Sequence, residues 1–295
     1  MFQYLVFRIF VFFFAHIPFV FLYRISDIIS WLLYHVIKYR KKVVLKNLQA
    51  SFPTKSEADI EAITRKFYTN LSDILLESFK AFGMSKADFL ERYKILNPEI
   101  SDYYHEKKQG VIVAGGHYAN WEWLAICSPL QIVQPIIGFY KPLANAKIDR
   151  FMAQSRSQFG MGLASIYETR KTFETYMPKA HVFVMIGDQS PSNVSKSYWI
   201  NFLNQETACL HGIEQHARKH NCPIVYFDAQ RTNRGYYEMT LIPLIENPAE
   251  LADGEITAIY MKKLEQIILE KPENWLWSHK RWKKKTKEKS TKQSI

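Results

Sequence analysis

Short uninterrupted apolar runs alternate with stretches of helical periodicity through the middle of this chain, and few architectures accommodate that pattern. VIVAG (111–115), IVQPIIGFY (132–140) and HVFVMIG (181–187) read as strands, with a shorter one near 163–167. Helical patterns follow Ala119 and cover about 145–158, 168–177 and 208–220. PIVYFDAQ (223–230) and YYEMTLIPL (236–244) read as a hairpin around Asn233, Arg234 and Gly235, and a helix over about 255–270 stops at Pro272. Upstream, Ser56 and Asp59 have the spacing of a helix cap for residues 56–80. Ile60, Ile63, Phe67, Leu71 and Ile74 repeat there at helical spacing, and Gly83 ends the pattern. The alternation predicts an α/β domain with a mixed, largely parallel sheet flanked by helices.

Residues 1–37 are of a different kind. The 15 residues between Arg8 and Arg24 contain no Lys, Arg, Asp or Glu, and His16 and Pro18 interrupt them. A membrane span needs about 20 apolar residues. The stretch lacks a small-residue cleavage site, and apolar character resumes after Asp27, which argues against a secretory signal. We expect an uncleaved membrane anchor over 1–48, either a tilted span or a helical pair lying in the interface and bent at Pro18. The alternative is a buried helix pair of a soluble domain. Against it stands the distribution of Phe around every face.

The chain carries a net charge of +11. Eight Lys or Arg against one Glu lie between Lys280 and Lys292, and Lys38, Arg40, Lys41, Lys42 and Lys46 form a second cluster beside the apolar N-terminus. This divides the chain into an anchor with a basic flank (1–48), a central domain (49–279) and a basic tail (280–295). Such charge faces either nucleic acid or an anionic membrane surface. The string Trp275-Leu276-Trp277-Ser278-His279-Lys280-Arg281-Trp282 suits a membrane interface, and no nucleic-acid motif is recognisable, so anionic lipid is the expected partner and nucleic acid is not. Three cysteines, an odd number, point to a reducing compartment.

The sharpest local feature is Gly115-Gly116-His117-Tyr118-Ala119-Asn120-Trp121-Glu122. A strand ends in two glycines, then a His, then a helix start, which is where ligands bind in open α/β sheets. A carboxylate on one imidazole nitrogen fixes the tautomer and leaves the other nitrogen as a general base. Glu122, five residues on, has that role if the helix begins near His117. The residues alone leave a second reading open, with His117 as a helix cap or a structural residue. No G-x-S-x-G, Walker A or complete G-x-G-x-x-G is present, so the substrate of such a base is a hydroxyl or amine. Cys127 lies in an apolar helical stretch and reads as core.

HYANWE, together with YRKKVVLKNLQASFP, GFYKP, GDQSP and PENWLWSHKRWK, resembles the late lipid A acyltransferases of the lysophospholipid acyltransferase superfamily. Five blocks in the right order span nearly the whole chain. The resemblance implies a glycerol-phosphate-acyltransferase-like fold on the cytoplasmic face of the inner membrane. It implies transfer of a fatty acyl chain from acyl carrier protein, as co-substrate, to a hydroxyl of a glycolipid acceptor, with no further cofactor and no metal. Carried over, His117 is the base and Glu122 orients it. Gly116, Tyr118, Asn120, Trp121, Tyr140, Lys141, Arg156, Asp188 and Gln189 fall in the substrate-binding blocks, and Glu206 lies in a region that shapes the family's pocket. Lys141 stands where the family usually has Arg, which keeps the charge but not the bidentate geometry. Lys147 and Arg150 share the predicted helix of Arg156.

Cys209, His216 and His220 fall on one stripe if 208–220 is a continuous helix, a spacing zinc accepts in part. The resemblance implies none. Two further functional readings stand beside acyl transfer to lipid A: transfer to another glycolipid, phospholipid or aminolipid, and a non-catalytic protein that binds membrane or nucleic acid through its charge.

Overall fold

The computed structural model describes residues 2–195 and 197–284. Two apolar helices come first, α1 (Phe2–His16) and α2 (Phe19–Trp31), broken at Pro18 as the sequence suggests. Then follow α3 (Lys41–Ser51), which carries basic residues, and the long α4 (Glu57–Lys80). The cap of α4 forms as expected: Ser56 Oγ accepts from the Asp59 N–H, and the Asp59 carboxylate accepts from the Ser56 N–H. Ile60, Phe67 and Ile74 are buried along it. Helices α5 (Lys86–Arg92) and α6 (Glu99–Glu106) flank the short strand β1 (Tyr93–Ile95).

Strands and helices then alternate: β2 (Val111–Gly115), α7 (Trp121–Cys127), β3 (Ile136–Tyr140), α8 (Ala146–Arg156), β4 (Gly162–Ser165), α9 (Thr169–Tyr176) and β5 (Val182–Ile186). A small antiparallel pair, β6 (Tyr198–Phe202) and β7 (Gln205–Cys209), precedes α10 (Gly212–His220). The long hairpin β8 (Ile224–Asn233) and β9 (Tyr236–Ile245) and the helix α11 (Glu255–Glu270) complete the order.

Seven strands make one sheet in the order β1-β9-β8-β2-β5-β3-β4. Every neighbouring pair is parallel except β8 with β9, so the expected mixed, largely parallel sheet is what forms. β2 is buried at all its positions, as a strand covered on both faces must be. Because β2, β5 and β3 are adjacent and parallel, the loops after Gly115, Ile186 and Tyr140 open on one edge of the sheet.

The region before α10 differs from the sequence reading. The expected helix over 208–220 begins only at Gly212, and Cys209 ends β7. Leu203 and Asn204 both take positive φ, 50° and 60°, the geometry of a two-residue hairpin turn, and this turn makes the segment a hairpin.

The N-terminal helices pack on the domain along one face. Lys80 Nζ donates to the carbonyls of Ala15 (2.7 Å) and Ile17 (2.9 Å), where the chain bends. Tyr23 Oη donates to Glu77 Oε1 (2.9 Å) and Ser26 Oγ to Asp73 Oδ1 (2.6 Å). Arg234, at the β8–β9 turn, bonds both Asp27 and Asp73. The opposite face is bare: Leu5, Ile9, Phe12, Val20, Ile28 and Trp31 are each more than half exposed. Phe19–Val36 is long and apolar enough to cross a membrane, by length and composition alone.

The C-terminal aromatic–basic string also differs from its sequence reading. Trp275, Trp277 and Arg281 are 2%, 0% and 2% exposed, so they pack inside the domain and do not line a membrane interface. The string runs as a strap across α3 and α4. Asn47 Nδ2 donates to the carbonyls of Trp277 and His279, Arg40 to that of Ser278, and Asn70 to that of Glu273. Of the basic tail, residues 285–295 lie outside the described residues.

Candidate active site

Two glycines bring the backbone after β2 close to its neighbours. A Cβ on Gly115 would lie 2.1 Å from the ring of Phe227. One on Gly116 would lie 2.8 Å from Leu264 Cδ1 and 3.3 Å from Asp188 Oδ2. The next residue, His117, therefore sits against the loop that follows β5. Its Nδ1 is 2.6 Å from Asp188 Oδ1, and its backbone N–H donates to Asp188 Oδ2 at 2.9 Å. Trp275 Nε1 donates to the same Oδ2 at 2.8 Å. Asp188 is 3% exposed and has its oxygens fully engaged.

This corrects the expected role of Glu122. The carboxylate on His117 is Asp188, while Glu122 holds Arg156 through two bonds, Oε2 to Nε (2.9 Å) and Oε1 to Nη2 (2.8 Å). The cause is local. Ala119 takes a positive φ of 51°, so the chain turns between His117 and the helix. Asn120 Oδ1 then caps α7 by accepting from Trp123 N, and the helix starts only at Trp121. His117 and Glu122 thus do not share a helical turn.

Electrostatics follow the contacts. Burial by itself depresses the His117 pKa, but the charge and hydrogen bond of Asp188, with a smaller contribution from Glu122, outweigh it and hold the imidazole above its ordinary value. Burial pushes Asp188 up, yet His117 and the surrounding donors bring it down to about 2. Asp188 is a fixed negative charge that favours the Nδ1–H tautomer and the imidazolium. The Nε2 lone pair then accepts from Gln189 Nε2 at 3.3 Å.

A cavity of about 380 Å³ opens at this edge of the sheet. His117, Trp121, Glu122, Tyr140, Lys141, Arg156 and Gln189 line it, and Trp121 meets the His117 ring edge-on at 5.3 Å. Its apolar part is formed by Phe139, Met161, Leu163 and Val184 from the sheet side. The arrangement places an imidazole, charged and polar side chains and an apolar lining around one cavity.

Other expected site residues lie behind the cavity wall. Tyr118 is 3% exposed and donates to the Lys271 carbonyl at 3.0 Å. Asn120 is 0% exposed and donates to Glu77 Oε2 at 2.7 Å, while Gly116 packs on Leu264 and Asp188. Lys147 and Arg150 are exposed on α8, and Cys127 is in the core. Cys209 is on β7 with Arg281 Nη2 3.5 Å from its sulfur, whereas His216 and His220 stack on Phe173 from α10, so the three do not share a helix stripe. Sequence reasoning missed Trp275, whose only signal was its place in an aromatic-rich block.

The sequence model of a family described as bacterial lipid A biosynthesis acyltransferase matches residues 2–284. The chain is 24% identical over 271 residues to the lipid A biosynthesis lauroyltransferase of Escherichia coli K12, covering 91% of this chain and 87% of that protein. It is 21% identical over 253 residues to the lipid A biosynthesis palmitoleoyltransferase of the same strain, and equally to a lipid A biosynthesis acyltransferase of Shigella flexneri, covering 84% of this chain and 80% of each relative.

Proposed function

This chain belongs to the bacterial lipid A biosynthesis acyltransferase family, and on that premise we propose that it moves a fatty acyl chain from an acyl-carrier-protein thioester to a hydroxyl of a lipid A precursor, with His117 as general base. The observation that carries this reading is the Asp188–His117 contact of 2.6 Å at the mouth of a cavity with an apolar bore.

With Nδ1–H bonded to Asp188, the Nε2 lone pair takes the proton of the acceptor hydroxyl as its oxygen attacks the thioester carbon. The buried Asp188 charge stabilises the imidazolium that forms. The carbonyl oxygen becomes an oxyanion and needs donors, and the Gln189 side-chain amide, which the entering hydroxyl displaces from Nε2, is one beside that point. When the intermediate collapses, the C–S bond breaks and the thiolate takes the proton back from His117. The acyl chain extends into the bore lined by Phe139, Met161 and Leu163. Glu122 fixes Arg156 at the cavity wall, and Arg156 with Lys141 supplies positive charge for the anionic parts of donor and acceptor.

The helices α1 and α2 lie in the plane of the membrane, on the cytoplasmic face of the inner membrane. What supports this is the polar inner face of α2. Tyr23, Ser26 and Asp27 bond Glu77, Asp73 and Arg234 of the domain. A spanning α2 would carry those charged partners into hydrocarbon, where ionisable groups are costly even when paired. Arg8, Arg24 and the Lys38–Lys46 cluster border the apolar face and suit anionic headgroups.

The test is acyl transfer by the protein purified in detergent, with acyl-carrier-protein donor and a lipid A precursor, read by mass spectrometry of the lipid. Wild type forms acylated product and His117→Ala does not; equal product from both sinks the assignment of His117.

A further inference from the structure

We propose that the C-terminal strap completes the catalytic centre, with Trp275 as a positioning residue that holds Asp188 on His117. This rests on the general-base reading above and adds a part that the HYANWE block (117–122) does not contain.

Four contacts join the strap to the site. Trp275 Nε1 donates to Asp188 Oδ2 at 2.8 Å. On either side of it the backbone pairs with the His117 loop: Ala119 N donates to the Asn274 carbonyl (3.0 Å) and Leu276 N to the His117 carbonyl (3.1 Å). Four residues after Trp275, His279 Nε2 accepts from the Ser190 N–H at 3.1 Å, so the strap also fixes the far end of the Asp188–Gln189 loop. Burial pushes His279 down to about 4, so it remains a neutral acceptor at any working pH.

The Trp275 ring is itself immobilised. It is 2% exposed and packs edge-on against Trp277 (4.8 Å), Phe202 (5.9 Å) and Trp282 (6.0 Å). An indole N–H has no other use in such a place, and a buried tryptophan is normally found with its donor satisfied. Here its acceptor is the carboxylate that holds the base. With Oδ2 occupied by two donors, His117 N and Trp275 Nε1, Oδ1 is left to face His117 Nδ1. Trp275 thereby selects one orientation of the carboxylate and draws off part of its charge.

Removing this donor makes Asp188 a stronger acceptor toward His117 and raises the imidazole pKa. The groups facing the pair are His279 and Arg281 from the strap, Tyr260 from α11, Tyr226 from β8, Glu122 from α7 and Gln189 from its own loop. Burial holds both tyrosines well above their ordinary values and His279 far below its own, so none of these three changes charge within the working range.

The experiment is full-chain enzyme with Trp275→Phe and, as an isosteric second variant, 3-benzothienylalanine at position 275, which replaces the N–H by sulfur and keeps the ring shape. Expected are a kcat lower by about ten-fold, the factor a hydrogen bond to a charged group carries, unchanged KM for both substrates, and an acid limb of kcat/KM moved to higher pH. In an Asp188→Asn background the Trp275 change costs nothing more, because the two act as one unit. The proposal is overturned if the isosteric variant keeps wild-type kcat and midpoint, if activity falls equally at all pH in step with loss of folded protein, or if the two losses multiply. His117→Ala, run in parallel, separates these outcomes from failure of the general-base reading, since full activity there removes the base itself.

Discussion

Replacing Asp188 by Asn isolates what the buried carboxylate contributes, because the change conserves shape and leaves every neighbour in place. Asp188 accepts from three donors: His117 Nδ1, His117 N and Trp275 Nε1. An amide has one oxygen. If that oxygen takes the two donors at the Oδ2 position, the NH2 group faces His117 Nδ1 and can bond only the tautomer with its proton on Nε2. That tautomer has no lone pair on the cavity side. If the amide is flipped, its oxygen faces Nδ1–H, but its NH2 opposes two buried N–H groups and both lose their acceptor. An unsatisfied buried donor costs about 1–3 kcal/mol, so the productive orientation lies about 2–6 kcal/mol above the unproductive one. At about 1.4 kcal/mol per factor of ten, kcat falls by ~30-fold to 10⁴-fold while the variant folds normally. The assay is single-turnover acyl transfer with saturating donor, with thermal unfolding on the same preparation. A kcat within about three-fold of wild type would refute the reasoning, because it would mean that the tautomer does not matter or that Asp188 does not set it.

Two other outcomes follow from the same charges. The imidazole must be neutral to act, and its pKa is raised above 6.5 by Asp188 and, to a smaller degree, Glu122; the acid limb of kcat/KM therefore lies above that value, and activity is lost as pH falls through it. Glu122→Gln removes the smaller contribution, so its limb moves to lower pH and its kcat falls less than that of Asp188→Asn, which steady-state pH profiles of the variants check. For the anchor, Gln3→Cys and Val36→Cys both react with a membrane-impermeant maleimide in inverted vesicles and neither in spheroplasts; labelling of the two from opposite sides would mean a span. The native Cys127, Cys209 and Cys222 are buried and give little background.

What the sequence makes legible here depends on whether a signal is local. The cap at Ser56 and the apolar stripe of α4 are local and form as read. The runs 111–115 and 182–186 are apolar at every position because β2 and β5 lie in the middle of the sheet, and that too is readable without the fold. The hairpin β6–β7 is not, since its turn places Leu203 at positive φ, where no turn signal of the usual kind exists. The strap misleads for a related reason. A string of Trp and cations is the composition of a membrane interface and also of a buried aromatic layer whose indole N–H groups find partners inside the domain: Trp277 Nε1 the Pro272 carbonyl and Trp282 Nε1 the Thr207 hydroxyl, with Arg281 Nη1 on the Ala208 carbonyl. Composition does not distinguish the two; partners do.

The pairing of His117 with Asp188 spans 71 residues and depends on β2 and β5 being neighbours, which no spacing encodes. Glu122 is the partner that spacing offers, and the left-handed turn at Ala119 withdraws it. The division of labour that results has a physical use. One carboxylate cannot both hold an imidazole and neutralise a guanidinium without weakening each. With Asp188 sealed at 3% exposure its charge acts on His117 undiminished by water, whereas Glu122, at 21%, holds Arg156 at the cavity wall where substrate enters. On the mechanism proposed above, Glu122 serves placement of the substrate and Asp188 the proton transfer, so loss of Glu122 is expected mainly in KM and loss of Asp188 in kcat.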